Sequence, residues 1–305
     1  MPINKSGVEI PASVLYYQSR TKKVPFRKLA SDNDLTVGQV AGAIRTYDPN
    51  EKKEEEPQFM KYTLGQREVF DDENCIVVGD VQLPTTDWEF AKLPAEIAKK
   101  HIKGDKILYI VGDWANADAF SRYENIVSLP SWNDEKEASR YLLSYYLSIF
   151  DLIKIFPGNH ERRRQKFMGG QDSKLDGLMD ELLPKEGRDR ILFSNFDRCT
   201  INNSTGKWTL LHGKNYSQNP LMNSNKYAQK FQSHIISHHE HKYAIGMSKF
   251  GGYYIIDNGG LFDREKMAYV QLDTSTSPEM AQGFTMLKNG HPYPFADFTD
   301  WNYWL

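Results

Sequence analysis

The sequence predicts an α/β fold preceded by a small α-helical segment, and three observations predict it. Short apolar, β-prone runs recur at residues 75–79, 107–112 and 152–158. Amphipathic helical stretches precede the second and third runs, around Phe90–Ala98 and Glu137–Phe150. Each run then meets a polar side chain of the kind that binds cations: Asp80, Asp113 and Asn159. Uniformly apolar strands suit a sheet covered on both faces. Strand–helix alternation implies parallel strands joined by right-handed crossovers. Ligands of such sheets collect at the carboxyl ends of the strands.

Three segments follow one another. Residues 1–46 carry the basic charge, with seven Lys or Arg against three acids over positions 1–45. Phe26, Leu29 and Ala30 share one helical face, and Val37, Val40, Ala41 and Ile44 share another. Thr36 and Gln39 have capping-box spacing for the second helix. Two short helices joined by a tight turn resemble a helix-turn-helix. That likeness implies DNA contacts by Arg27, Lys28, Gln39 and Arg45, with Gly38 and Ala43 also near the groove. The bland alternative is a helical pair used for protein contacts. Residues 47–70 form an acidic linker, with five acids against two lysines over positions 46–60. The third segment is 71–305. In its second half, strand-like runs at 208–211, 233–237 and 253–257 lead into His212, His238-His-Glu-His241 and Asn258.

The bulk numbers exclude more than they assert. A net charge of −2 over 305 residues gives no global signal for nucleic acid or membrane. Two distant cysteines, Cys75 and Cys199, cannot frame a disulfide scaffold and read as reduced core thiols. No run of about 18 apolar residues exists to cross a bilayer, and the first residues lack the apolar stretch of a secretory signal. A cytoplasmic location is expected, or the host cytoplasm for a phage protein.

Five pieces occur in order: Asp80-Val-Gln82, Gly112-Asp113, Gly158-Asn159-His160-Glu161, His212-Gly213 and His239-Glu-His241. Each follows a strand-like run. This ordered set resembles the calcineurin-like metallophosphoesterase superfamily over roughly residues 72–305. The resemblance implies a four-layer α/β/β/α sandwich and two divalent cations that activate water against a phosphate ester. By the same resemblance Asp80, Gln82 and His241 ligate one ion, Asn159, His212 and His239 ligate the other, and Asp113 bridges them. His160 corresponds to the family's non-ligand histidine, which protonates the leaving oxygen. Manganese is the foremost expectation, with iron, zinc and magnesium as alternatives.

Two departures stand out. Gln82 replaces the usual His of the first motif, and its carbonyl oxygen is a harder, weaker ligand than imidazole. His238 stands where the family has Gly before His-x-His, so a side chain must either face the cleft, pack or meet solvent. Arg162, Arg163 and Arg164 follow the third motif, and Arg162 is the substrate-phosphate candidate. Glu161 reads as a helix-starting or ligand-supporting residue. Asp87 and Asn116 read as loop caps or ligand supports. His101, His234 and His291 match no motif. The aromatic C-terminus, 292–305, is expected to pack on its own domain or on a second copy, which makes homo-oligomerisation an open expectation.

The leading expectation is therefore a phosphodiesterase acting on DNA. Its alternatives are a phosphomonoesterase acting on protein or small esters, and a non-catalytic DNA-binding protein that keeps a weakened metal site. A helix-turn-helix-like segment before this domain is similar to phage-encoded members of the superfamily.

Overall fold

The computed structural model describes residues 2–20, 22–47, 68–120, 130–167, 175–267 and 280–305. It divides into two compact units, Met1–Gly65 and Gln66–Leu305. Most of the expected acidic linker, residues 48–67, lies outside the described residues.

Among its described residues the first unit has three helices: α1 (Ala12–Arg20), α2 (Phe26–Asp32) and α3 (Val37–Thr46). The sequence reading missed α1, which has few buried positions to mark a face. Its Leu15 closes a small core with Leu29, Ala30, Leu35, Val40, Ala43 and Ile44. Ala43 is thus buried and not on an open face, whereas Val37 is 45% exposed. The Thr36 capping box forms: Gln39 N–H donates to Thr36 Oγ1 at 3.2 Å, and Thr36 N–H donates to Gln39 Oε1 at 2.8 Å.

The second unit contains two six-stranded sheets. One runs β12-β11-β2-β3-β4-β5, with β2 Cys75–Val78, β3 Ile107–Val111, β4 Leu152–Phe156, β5 Ile191–Phe193, β11 Gly283–Lys288 and β12 His291–Ala296. The other runs β1-β6-β7-β8-β10-β9, with β1 Val69–Phe70, β6 Arg198–Asn203, β7 Gly206–His212, β8 His234–His238, β9 Tyr243–Met247 and β10 Tyr254–Asn258. Strands β2 to β5 are parallel, as are β7, β8 and β10.

Three apolar layers hold the sandwich. Between the sheets, Val77, Tyr109, Val111 and Phe156 meet Ile201, Trp208, Leu210, Ile236 and Ile256. Outside the first sheet, α4 (Trp88–His101) and α5 (Trp132–Leu147) cover Ile76, Leu108, Ile110 and Ile153. Outside the second, α8 (Met222–Phe231) brings Ala228 against Leu211, Ile235 and Ile255. The other α-helices among the described residues are α6 (Glu161–Phe167), α7 (Leu175–Asp180) and α9 (Trp301–Trp304). The architecture is the expected α/β/β/α sandwich with a small N-terminal helical unit. No helix among the described residues is long and apolar enough to cross a membrane.

The aromatic C-terminus packs on its own domain. Trp301 stacks with Phe284 and Phe295, at centroid distances of 6.2 and 5.8 Å. The first part of this C-terminus is strand β12, at the sheet edge, where Pro292 and Pro294 need no ladder donor.

Candidate metal centre

The ends of five strands from both sheets meet at one place. In the first sheet β2, β3 and β4 lead into Asp80, Asp113 and Asn159. Backbone bonds knit these turns together: Asp80 N–H donates to Gly112 O at 3.0 Å, and Gln82 N–H to Asp113 O at 3.0 Å. In the second sheet β7 ends at His212 and β8 at His238, which are register partners. His239 and His241 follow.

Asp80 presents its two carboxylate oxygens differently. Oδ1 lies 3.2 Å from His241 Nε2 and 3.3 Å from His212 Nε2. Oδ2 accepts the backbone N–H of His239 at 2.8 Å. Asp113 Oδ2 lies 3.3 Å from His212 Nε2, 3.4 Å from His160 Nε2 and 3.4 Å from Gln82 Nε2. His212 is therefore shared by two carboxylates. Asp113, His212 and His239 each offer a ligand atom, and these atoms lie within 4.8 Å of one another. The rings of His212 and His239 stand nearly edge-on, 5.1 Å apart.

The electrostatics follow from burial and opposite charge. Burial pushes the Asp80 carboxyl up, but His241 and His212 prevail and hold it well below the usual range. Asp113 is also lowered: His160 and His212 overcome its burial. Burial works against charge on His212 too, yet Asp113 and Asp80 raise it well above the ordinary histidine value. Burial lowers His160 to about 4, against the pull of Asp113 and with help from Arg163. Burial also lowers His239.

Backbone strain marks the same residues. Asp80, Gln82, Asp113, His239 and His241 all have positive φ, from 45° to 95°. Such conformations cost side-chain-bearing residues about 1–2 kcal/mol each and persist where surrounding structure enforces them.

Two buried oxygens test whether this constellation fits cations. Gln82 Oε1 and Asn159 Oδ1 are both shielded from solvent and have no hydrogen-bond partner among the described residues. An orphaned buried acceptor costs about 1–3 kcal/mol. Hard divalent cations take amide oxygens, carboxylates and imidazoles together. The donor set therefore fits divalent cations, and Gln82 contributes the oxygen through which it would substitute for histidine.

The residues around the ligands take defined places. Glu161 opens α6 and its carboxylate accepts four backbone N–H groups: Trp114 and Gly158 at 2.8 Å, Asp113 and Ala115 at 3.2 Å. Arg162 turns away and donates to Asn195 O at 3.0 Å, whereas Arg163 Nη2 lies 2.7 Å from His160 Nε2. The sequence singles out Arg162 among three neighbouring arginines of one half-buried helix, and the helical phase that separates them is not visible in it. Arg164 pairs with Glu181 at 2.6 Å. His238 is buried beneath Asp80, with Nδ1 3.7 Å from Oδ2. Asp87 caps α4 by accepting Glu89 and Phe90 N–H at 3.1 Å, and Asn116 donates to Thr85 Oγ1 at 2.9 Å. His101 and His234 are engaged with backbone carbonyls of Trp304 and Thr205.

In the N-terminal unit Arg27, Lys28, Gln39 and Arg45 are exposed. Lys28 pairs with Asp32 at 3.1 Å. Gln39 Nε2 donates to Ile3 O at 3.2 Å, so both ends of its amide are engaged within the unit.

No protein-family model matches the chain, and no curated protein sequence matches it. Solved structures do. The chain is similar to Vps29 of Chaetomium thermophilum, at 13% identity over 76% of this chain and 89% of that one, with a TM-score of 0.40. It is similar to wild-type Vps29 of Entamoeba histolytica complexed with zinc, at 12% identity over 74% and 94%, TM-score 0.40. It is also similar to a Streptococcus pneumoniae protein described as a predicted phosphoesterase, at 12% identity over 73% and 97%, TM-score 0.32.

Proposed function

We propose that this chain is a metal-dependent phosphoesterase with two cation sites, and that its substrate is a phosphodiester of DNA. One observation carries the first half. Gln82 Oε1 and Asn159 Oδ1, two orphaned buried acceptors, come from turns joined to the cluster of Asp113, His212 and His239. Asp80, Gln82 and His241 hold one ion, Asn159, His212 and His239 hold the other, and Asp113 serves both. Bound divalent cations neutralise phosphate oxygens and lower the pKa of bound water. Manganese suits the oxygen-rich first site better than zinc does.

His160 is placed as the proton donor to the leaving oxygen, a role that needs its imidazolium form, whereas burial favours the neutral ring in the metal-free chain. Its Nε2 faces Arg163 Nη2 at 2.7 Å, and a guanidinium only donates. Arg163 thus favours the neutral tautomer with its proton on Nδ1, a buried atom with no hydrogen-bond partner among the described residues, while Asp113 Oδ2, 3.4 Å from Nε2, favours the protonated ring. Arg163 Nη1 also donates to Asn116 O and Asp118 Oδ1, which fixes the guanidinium beside the ring. Arg162 already has Nη2 bonded to Asn195 O, so Arg163 is the guanidinium that lies against His160.

DNA as substrate is supported by the exposed cations Arg27, Lys28 and Arg45 on a compact helical unit. The test is cleavage of labelled single- and double-stranded DNA with added manganese, by wild type and by Asp113→Ala and His160→Ala. Cleavage by wild type, lost in both variants, is expected. Turnover of p-nitrophenyl phosphate but not of its bis-ester would instead establish a monoesterase. No turnover with any divalent ion would leave a non-catalytic DNA-binding protein. DNA affinity should fall as salt is added, because phosphate contacts release counterions.

A further inference from the structure

His238 is a fully enclosed imidazole at a position where its resemblance group has no side chain. Its side chain has 0% exposure and rests flat on Gly79, where an added Cβ would fall 2.5 Å from Nδ1. What it does there can be read from its neighbours. Thr285 Oγ1 donates to Asn258 Oδ1 at 2.5 Å, and Asn258 Nδ2 donates to Val77 O at 3.0 Å. A carbonyl only accepts, so these two bonds fix which end of the Asn258 amide is nitrogen. That nitrogen lies 3.2 Å from His238 Nε2. Nε2 must then be the acceptor, and the proton of the neutral ring belongs on Nδ1. Nδ1 faces Asp80 Oδ2 at 3.7 Å, just beyond hydrogen-bond length, and makes no hydrogen bond among the described residues. The backbone of Gly259 also favours a protonated ring nitrogen and competes with Asp80 for it.

We propose that His238 is a positioning residue for Asp80, with Thr285 and Asn258 locking its Nδ1–H toward the carboxylate. The inference rests on the reading of Asp80 as a cation ligand. The carboxylate is thereby divided. Oδ2 is occupied by the His239 N–H at 2.8 Å and faced by His238. Oδ1 is left toward His212 and His241, on the side of the other candidate ligands. Partners behind a ligand fix its orientation, and losing one typically costs 10–100-fold in metal affinity. The arrangement does for an aspartate what a carboxylate usually does for a ligating histidine.

Two measurements on the full chain test it. The first is the imidazole nitrogen spectrum of ¹⁵N-labelled, metal-free protein at neutral pH, with the His238 signals assigned by their loss in His238→Asn. A proton on Nδ1 is expected, and a proton on Nε2 overturns the proposal. The second is zinc binding by calorimetry to wild type, His238→Asn, His238→Gln and His238→Gly, each first shown to melt cooperatively. Asparagine places an amide near Nδ1, and glutamine places one near Nε2. Affinity should fall about 10–100-fold in His238→Gln and His238→Gly and stay within a few-fold in His238→Asn. Equal affinity in all four proteins, or equal loss in His238→Asn and His238→Gln, overturns it. If wild type binds no zinc, the metal-site reading fails, while the tautomer still decides where His238 directs its proton.

Discussion

Glu161 holds Asp113 from behind. Its Oε2 accepts the Asp113 backbone N–H at 3.2 Å while the same carboxylate gathers Trp114, Ala115 and Gly158. One anion thus joins the turn after β3 to the turn after β4. It sits 5% exposed, and burial with the nearby Asp113 charge raises its pKa to about 6.

Glu161→Gln should therefore loosen both turns at once. Glutamine keeps one acceptor oxygen and presents an NH₂ group to the remaining N–H donors. A stability loss of about 2–4 kcal/mol is expected from the unsatisfied donors. Metal affinity should fall about 10–100-fold. Urea unfolding and zinc calorimetry measure the two effects, and a variant matching wild type in both would remove Glu161 from the account.

Gly158 leaves no space for a side chain. A Cβ there would fall 2.0 Å from Asp113 Oδ1 and 2.5 Å from its backbone nitrogen. Gly158→Ala must displace the very carboxylate expected to serve both ions, so metal affinity should drop at least ~10-fold. Gly112→Ala adds a second penalty, because Gly112 has φ +83° and its Cβ would fall 2.2 Å from the His212 ring. A left-handed alanine alone costs about 1–2 kcal/mol. Thermal midpoints and metal content report both variants.

Gln82→His should move ion preference toward zinc. An imidazole nitrogen would replace the orphaned amide oxygen, and zinc takes nitrogen more readily than manganese does. The zinc-to-manganese affinity ratio should rise by about an order of magnitude. An unchanged ratio in parallel titrations would mean that position 82 does not ligate.

Glu135 makes stability depend on pH. It is 0% exposed, its Oε2 accepts Ala117 N–H at 2.7 Å, and its Oε1 has no partner among the described residues. Burial raises its pKa from 4.5 to about 8. The folded chain then holds a proton that the unfolded chain releases. This contribution is complete below the unfolded value and is lost as pH rises through about 8. Wild-type unfolding free energy should decline between pH 5 and 8 by up to ~1.4 kcal/mol per unit. Glu135→Gln carries no titrating proton and should flatten the decline, and equal slopes in the two proteins would refute the assignment.

The fold and the site differ in how far the chain disclosed them. The core strands were visible because burial on both faces leaves runs such as Cys75–Val78 with no polar interruption. The seven candidate ligands were visible because a strand end followed by a polar residue is a local pattern. What lay beyond reach depended on distant partners. Strand β12 carries two prolines, and only its edge position makes them acceptable. Helix α1 buries a single residue, Leu15, and shows no face in its sequence. The choice between Arg162 and Arg163 turns on the rotation of a seven-residue helix. His238 left three options open, and its burial against Gly79 required the two sheets to be in place.

That the candidate ligands are divided between the two sheets has a mechanical consequence. Asp80, Gln82, Asp113 and Asn159 belong to one sheet, and His212, His239 and His241 to the other. An ion held by both would work as a rivet through the layers and resist their sliding. Its binding free energy adds to the unfolding free energy by mass action. Chelators should accordingly speed amide exchange along the facing ends of β3 and β7, far more than in the outer helices.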